Sequence, residues 1–246
     1  MFSISQKNVA QTNLQLYAQL RASGFDTASL DQVHAAYSFA AKQCASLFRG
    51  SGKPFSCHLI GVASLCAIEG ASADTIIAAL LHAIYQPRVG FAGINEFNAQ
   101  RSALAQQFGT YSEQLTFACF IASYDAAAHD GKPAPEHHDL SLEQLRAVKM
   151  ILLADSLEDA LDAGLSLHGG ADDDASVRGS ARWRLQRMQA ERSDFLSEAN
   201  AHGFQHFLQL FDQLLSANES RLSQSATKSE QTGPFTQQYS SFRIEQ

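Results

Sequence analysis

Residues 55–86 read FSCHLIGVASLCAIEGASADTIIAALLHAIYQ. Two apolar runs flank Glu69-Gly70-Ala71-Ser72, where glycine can end one helix and Ser72 can cap the next. The pattern predicts helices over about 57–68 and 73–85, joined by a turn so short that they must be antiparallel neighbours. His58 lies about ten residues before the end of the first helix and His82 about nine after the start of the second. At roughly 1.5 Å per residue, both imidazoles stand near 14 Å from the turn, at the same level. Two metal ligands need this arrangement.

Towards the N-terminus, Val9, Leu14, Leu16, Tyr17 and Leu20 mark a helix over about 8–22 that stops near Gly24. Asp26 or Thr27 can cap a second helix, along which Val33, Ala36, Tyr37, Ala40, Cys44, Leu47 and Phe48 recur at steps of three and four. It is expected to run up to Arg49-Gly50-Ser51-Gly52-Lys53-Pro54, which cannot prolong it. The loop superficially matches the end of a phosphate-binding P-loop, but Leu47 stands where the first glycine is required, Pro54 where the Ser/Thr is required, and a helix precedes it instead of a strand. Arg49 and Lys53 nevertheless place two cations beside backbone amides at the mouth of the hairpin.

Downstream, helices are expected over about 94–108 and 110–124, the second opened by a Thr110-x-x-Glu113 capping box. A polar loop over 125–140 leads to a second box, Ser141-x-x-Gln144, and a long helix to about Leu167. Asp155 sits on an apolar side of that helix with Leu145, Val148, Ile151 and Leu152. A carboxylate buried there needs a cation, a metal or strong donors opposite it. Asp172-Asp173-Asp174 reads as a solvated helix start before a helix over about 175–200. The paired His137-His138 and the histidines at 34, 129, 168, 202 and 206 form no constellation. A last helix over about 204–215 is followed by a Ser-, Gln- and Thr-rich stretch, read as a polar, flexible tail over 218–246.

The 246 residues, 45% of them hydrophobic, can bury a large core, and no linker divides them. Residues 1–217 are therefore read as a single all-α domain. A formal net charge of −7 disfavours nucleic acid as a partner. No run is long enough to span a bilayer and no leader pattern opens the chain, so a cytoplasmic protein without membrane contact is expected. Cys44, Cys57, Cys66 and Cys119 lack CxxC pairing and read as buried, reduced thiols.

Tyr37-Ser38-Phe39-Ala40, the run Phe48 to His58, Ala78-Ala79-Leu80-Leu81-His82 and Leu152-Leu153-Ala154-Asp155-Ser156-Leu157 together resemble the hydrolase domain of RelA/SpoT-type proteins. That domain belongs to the HD superfamily of metal-dependent phosphohydrolases, and the resemblance covers about residues 31–162. It implies an HD-domain-like helical bundle with a divalent metal, manganese or iron, on His58, His82 and Asp155. It implies a small anionic or nucleotide-like ligand contacted by Arg49, Ser51 and Lys53. The family's fourth ligand, an aspartate, is matched by Ala83, and its supporting Glu-Asp pair by Gln86 and Pro87. A family Asn is matched by Asp159, the remaining candidate base, and a family His by Cys44.

These departures make hydrolysis of guanosine tetraphosphate by the family's mechanism a poor expectation. Two histidines and a carboxylate still suit manganese or iron(II) and leave positions open. The best-supported expectation is a metal-dependent enzyme of phosphohydrolase type on a small phosphorylated or nucleotide-like substrate. The alternatives are a pseudoenzyme that senses a ligand or binds a partner, and an iron-dependent oxygenase.

Overall fold

The computed structural model describes residues 8–86, 89, 97–123, 139–161, 164–167 and 181–229. Its elements are α1 (Asn13–Ala22), α2 (Thr27–Gln43), α3 (Phe55–Ile68), α4 (Ala73–Leu81), α5 (Phe97–Phe108), α6 (Thr110–Ala122), α7 (Leu142–Asp159), α8 (Gly164–Leu167), α9 (Ala181–Ala190), α10 (Arg192–Ala201) and α11 (Gln205–Ser229). Among the described residues there is no strand, only an isolated antiparallel bridge between Phe48 and Pro54. The all-α expectation holds.

The α3–α4 hairpin is the centre of the molecule. From His58 to Ala67, and from Thr75 to Leu81, every residue is buried, as befits helices that are apolar on nearly all sides. Gly70, at φ +78, allows the intervening turn, and the Ser72 side chain accepts from Thr75 N. α1 and α7 pack on α3, α2 and α6 on α4, and α10 and α11 close over the outer side of α7. Each fully buried Leu or Ile in this layer contributes roughly 1.5–3 kcal/mol relative to exposure.

Several boundaries differ from expectation, each for a local reason. α1 begins at Asn13, because Thr12 and Gln15 form a capping box. α2 ends at Gln43, short of Phe48, because residues 47–55 fold into a small hairpin. Arg49 N donates to Lys53 O (2.9 Å) and Phe55 N to Leu47 O (3.0 Å). α4 stops at Leu81, where the chain tightens, with Ile84 N donating to Leu81 O at 2.8 Å. The box expected at Thr110 is absent: Gly109 is the N-cap and Glu113 is drawn to Arg101 and Tyr85. The Ser141–Gln144 box is present.

α7 ends at Asp159 and not at Leu167. Gly164 then returns so close to the helix end that a Cβ there would lie 2.2 Å from the Asp159 carbonyl oxygen. The helix expected over 175–200 is two helices, divided at Glu191. α11 runs on to Ser229, beyond the expected end at Leu215, because Leu214, Asn218 and Leu222 continue its buried stripe. Asn218 Nδ2 donates to Ala160 O (2.9 Å), which ties α11 to the end of α7. Residues 230–246, Pro87, His129, His137, His138, His168 and Asp172–Asp174 lie outside the described residues. No helix of the described residues is long and apolar enough to cross a membrane.

Candidate metal centre

α3, the end of α4 and α7 bring His58, His82 and Asp155 together. The two imidazole centroids are 5.4 Å apart. His58 Nε2 lies 3.1 Å and His82 Nε2 3.7 Å from Asp155 Oδ1. One ligand atom from each residue falls within 4.8 Å of the others. Both histidines are buried, whereas the Asp155 side chain is 38% exposed. The Asp155 side chain therefore reaches the surface, although its Oδ1, the atom facing the histidines, is buried.

The tautomer of His82 is settled by its neighbour. Its Nδ1 is 2.8 Å from the Ala79 carbonyl oxygen, which can only accept, so Nδ1 carries the proton and Nε2 offers a lone pair. Burial pushes the His82 pKa down, outweighing the attraction of Asp155, and the ring stays neutral as a ligand must. His58 is held differently, since its Nδ1 lies 2.5 Å from Glu158 Oε2. Burial and the Arg49 guanidinium act to lower the His58 pKa, but the contacts with Asp155 and Glu158 prevail and raise it to about 9. Burial works against ionised Asp155, yet His58, His82 and Arg49 together hold its carboxyl below the ordinary range.

Among the described residues, three buried side-chain polar atoms have no hydrogen-bond partner: His58 Nε2, Asp155 Oδ1 and Arg49 Nε. All three belong to this one site. His58 Nε2 and Asp155 Oδ1 face each other at 3.1 Å as an ion pair without forming a hydrogen bond. Once its proton is displaced, His58 Nε2 can join Asp155 Oδ1 as a donor to a cation, while Arg49 Nε–H can donate to an anion. The residues present thus fit a divalent metal with an oxygen ligand beside it.

Arg49 and Lys53 sit opposite each other on the 47–55 hairpin. Arg49 pairs with Asp159 and Lys53 with Glu158. Arg184 Nη1 also reaches Asp159 Oδ2, at 2.8 Å. Asp159 is thereby clamped between two guanidinium groups. Ser51 lies at the tip of the hairpin, half-buried, and Ala83, next to His82, is buried.

Glu158, Gly61 and Arg184 are absent from the residues the sequence pointed to. Glu158 looks like the solvated neighbour of Asp159, yet it is 2% exposed. Its position one turn beyond Asp155 is the one signal that could have found it. The remaining described histidines make unrelated contacts: His34 with Tyr17, His202 with Glu198 and His206 with Glu69. All four cysteines are free thiols, and burial pushes the Cys66 and Cys119 thiols up.

The HD domain matches residues 36–160, about half of the chain, from within α2 to the end of α7. The chain belongs to the HD-domain family. HD domains form a superfamily of metal-dependent phosphohydrolases, and the His58, His82 and Asp155 group lies wholly inside the matched segment. No curated protein matches the chain.

Proposed function

We propose that this HD domain is a metal-dependent phosphohydrolase acting on a small phosphorylated or nucleotide-like substrate. The observation that carries the reading is the meeting of His58, His82 and Asp155, with one ligand atom of each within 4.8 Å of the others, inside the matched HD domain. His58, His82 and Asp155 would hold manganese or iron(II), which when bound acidifies water and polarises a phosphoryl oxygen. Arg49 Nε is a buried donor for a ligand oxygen, and Arg184 adds a second guanidinium paired with Asp159. The hairpin tip at Ser51 offers a hydroxyl to the same ligand. Lys53 contributes through Glu158 and not as a free cation.

Within the HD family, the order and spacing of the hairpin loop, the two histidines and Asp155 resemble the RelA/SpoT hydrolase domain. Ala83 and Gln86 supply no carboxylate, and Asp159 is an anchor for two arginines. Proton removal from water therefore falls to another acceptor, and cleavage of guanosine tetraphosphate by that domain's route is not the activity we propose. Buried Ala83 and the clamped Asp159 favour one second reading, a pseudoenzyme that retains the pocket for sensing.

The two readings separate in a screen of phosphorylated metabolites and nucleotides with Mn²⁺. Turnover that disappears in His82→Ala and Asp155→Asn, with both variants folded, supports the enzyme. Ligand binding without turnover of any member supports the sensor, and a chain that binds no metal removes the enzyme and leaves the histidines structural, as the pseudoenzyme reading has them.

A further inference from the structure

Glu158 combines two choices that weaken a fold by themselves. It buries a carboxylate in the core, and it requires a glycine in the middle of α3. Gly61 has no left-handed φ to explain it, and glycine inside a helix costs about 1 kcal/mol relative to alanine. The reason is steric: a Cβ at position 61 would lie 2.6 Å from both Glu158 Cγ and Oε1. Glu158 fills the space that Gly61 leaves, with Oε1 on Lys53 and Oε2 against His58 Nδ1 at 2.5 Å.

We propose that Glu158 is a positioning residue of the metal centre, holding His58 by Nδ1 so that Nε2 faces Asp155 and His82, and that Gly61 exists to admit it. The inference rests on the reading of His58, His82 and Asp155 as metal ligands. A carboxylate on the far nitrogen of a ligand histidine fixes the ring and strengthens it as a donor, and loss of such a partner typically weakens metal binding 10–100-fold. That support matters more where Ala83 leaves the ligand set one carboxylate short. His58, Glu158 and Asp159 also lie close enough to suggest a second cation site. Lys53 already neutralises Glu158, and Arg49 and Arg184 neutralise Asp159, so that place is filled by side-chain cations.

The test is calorimetric titration of the metal-free full chain with Mn²⁺, with the visible spectrum of the Co²⁺ form as a second readout. Glu158→Gln and Gly61→Ala are each expected to bind one ion per chain, like the wild type, about 10–100-fold more weakly, and Glu158→Gln to shift the Co²⁺ bands. In a Glu158→Ala background, where the clash is gone, Gly61→Ala is expected to cause no further loss. Unchanged affinity in both single variants, or an equal loss from Gly61→Ala in both backgrounds, overturns the proposal and leaves the metal site standing. A wild type that binds no metal overturns the metal site itself. Should Glu158→Gln fail to fold, Gly61→Ala alone decides between retained and weakened binding.

Discussion

His58 and His82 occupy the same site but are prepared for it in opposite ways. His82 is kept neutral by burial and aimed by the Ala79 carbonyl, while His58 sits between two carboxylates whose contacts raise its pKa and favour its protonated form. Its folded pKa of about 9 lies above the ordinary value of 6.5. Its contribution to the stability of the metal-free protein is therefore full below about pH 6.5 and is lost as the pH rises through 9. A cation at Nε2 must displace that proton. Between pH 6.5 and 8.5, Mn²⁺ affinity should rise about tenfold per pH unit, measured as Kd in metal-free protein. A flat profile would show that His58 carries no proton to displace in this range. At this scale His58, His82 and Asp155 were legible, because each is a polar residue in an apolar run. Glu158 was not, because its meaning depends on Gly61, nearly a hundred residues away.

Two helices meet in register to make the site. His58 and Gly61, one turn apart on α3, face Asp155 and Glu158, one turn apart on α7. α7 is started far from that contact, at Ser141, whose side chain accepts from Gln144 N while Gln144 reaches back to Ser141 N. Replacing Ser141 with Ala should cost about 1 kcal/mol of stability in urea unfolding and leave metal affinity unchanged, since the site lies about four turns along the helix. A loss of metal binding there would mean that α7 slides when its cap is removed. The same motif written at Thr110 forms no box. Glu113 accepts from Arg101 Nε (2.6 Å) and from Tyr85 (3.1 Å), with Arg101 stacked over Phe117 at 3.9 Å. A buried ion pair offered by the tertiary structure outcompetes a local cap, which is why caps were legible only where no such partner waited.

Across the whole molecule, one ion would clamp three segments that are distant in sequence: α3, the end of α4 and α7. Ligand binding to the native state alone stabilises by RT ln(1 + [L]/Kd), about 2.7 kcal/mol at a hundredfold excess over Kd. For a chain of this size that corresponds to a rise in melting temperature of roughly 5–10 °C. Mn²⁺ should produce this shift in scanning calorimetry and EDTA should reverse it, while Asp155→Asn should show none. An equal shift in Asp155→Asn would place the ion elsewhere. Composition and periodicity by themselves determined an all-α chain, the central hairpin, and two histidines at one level, because those follow from local propensity and from the rise of a helix. Only the tertiary structure decided that Arg49 and Lys53 are spent on Asp159 and Glu158, that Gly61 makes room for a buried acid, and that α11 runs past Leu215 to hold Ala160 through Asn218. Those outcomes depend on which charges and volumes meet across the core, and no local stretch of sequence contains both partners.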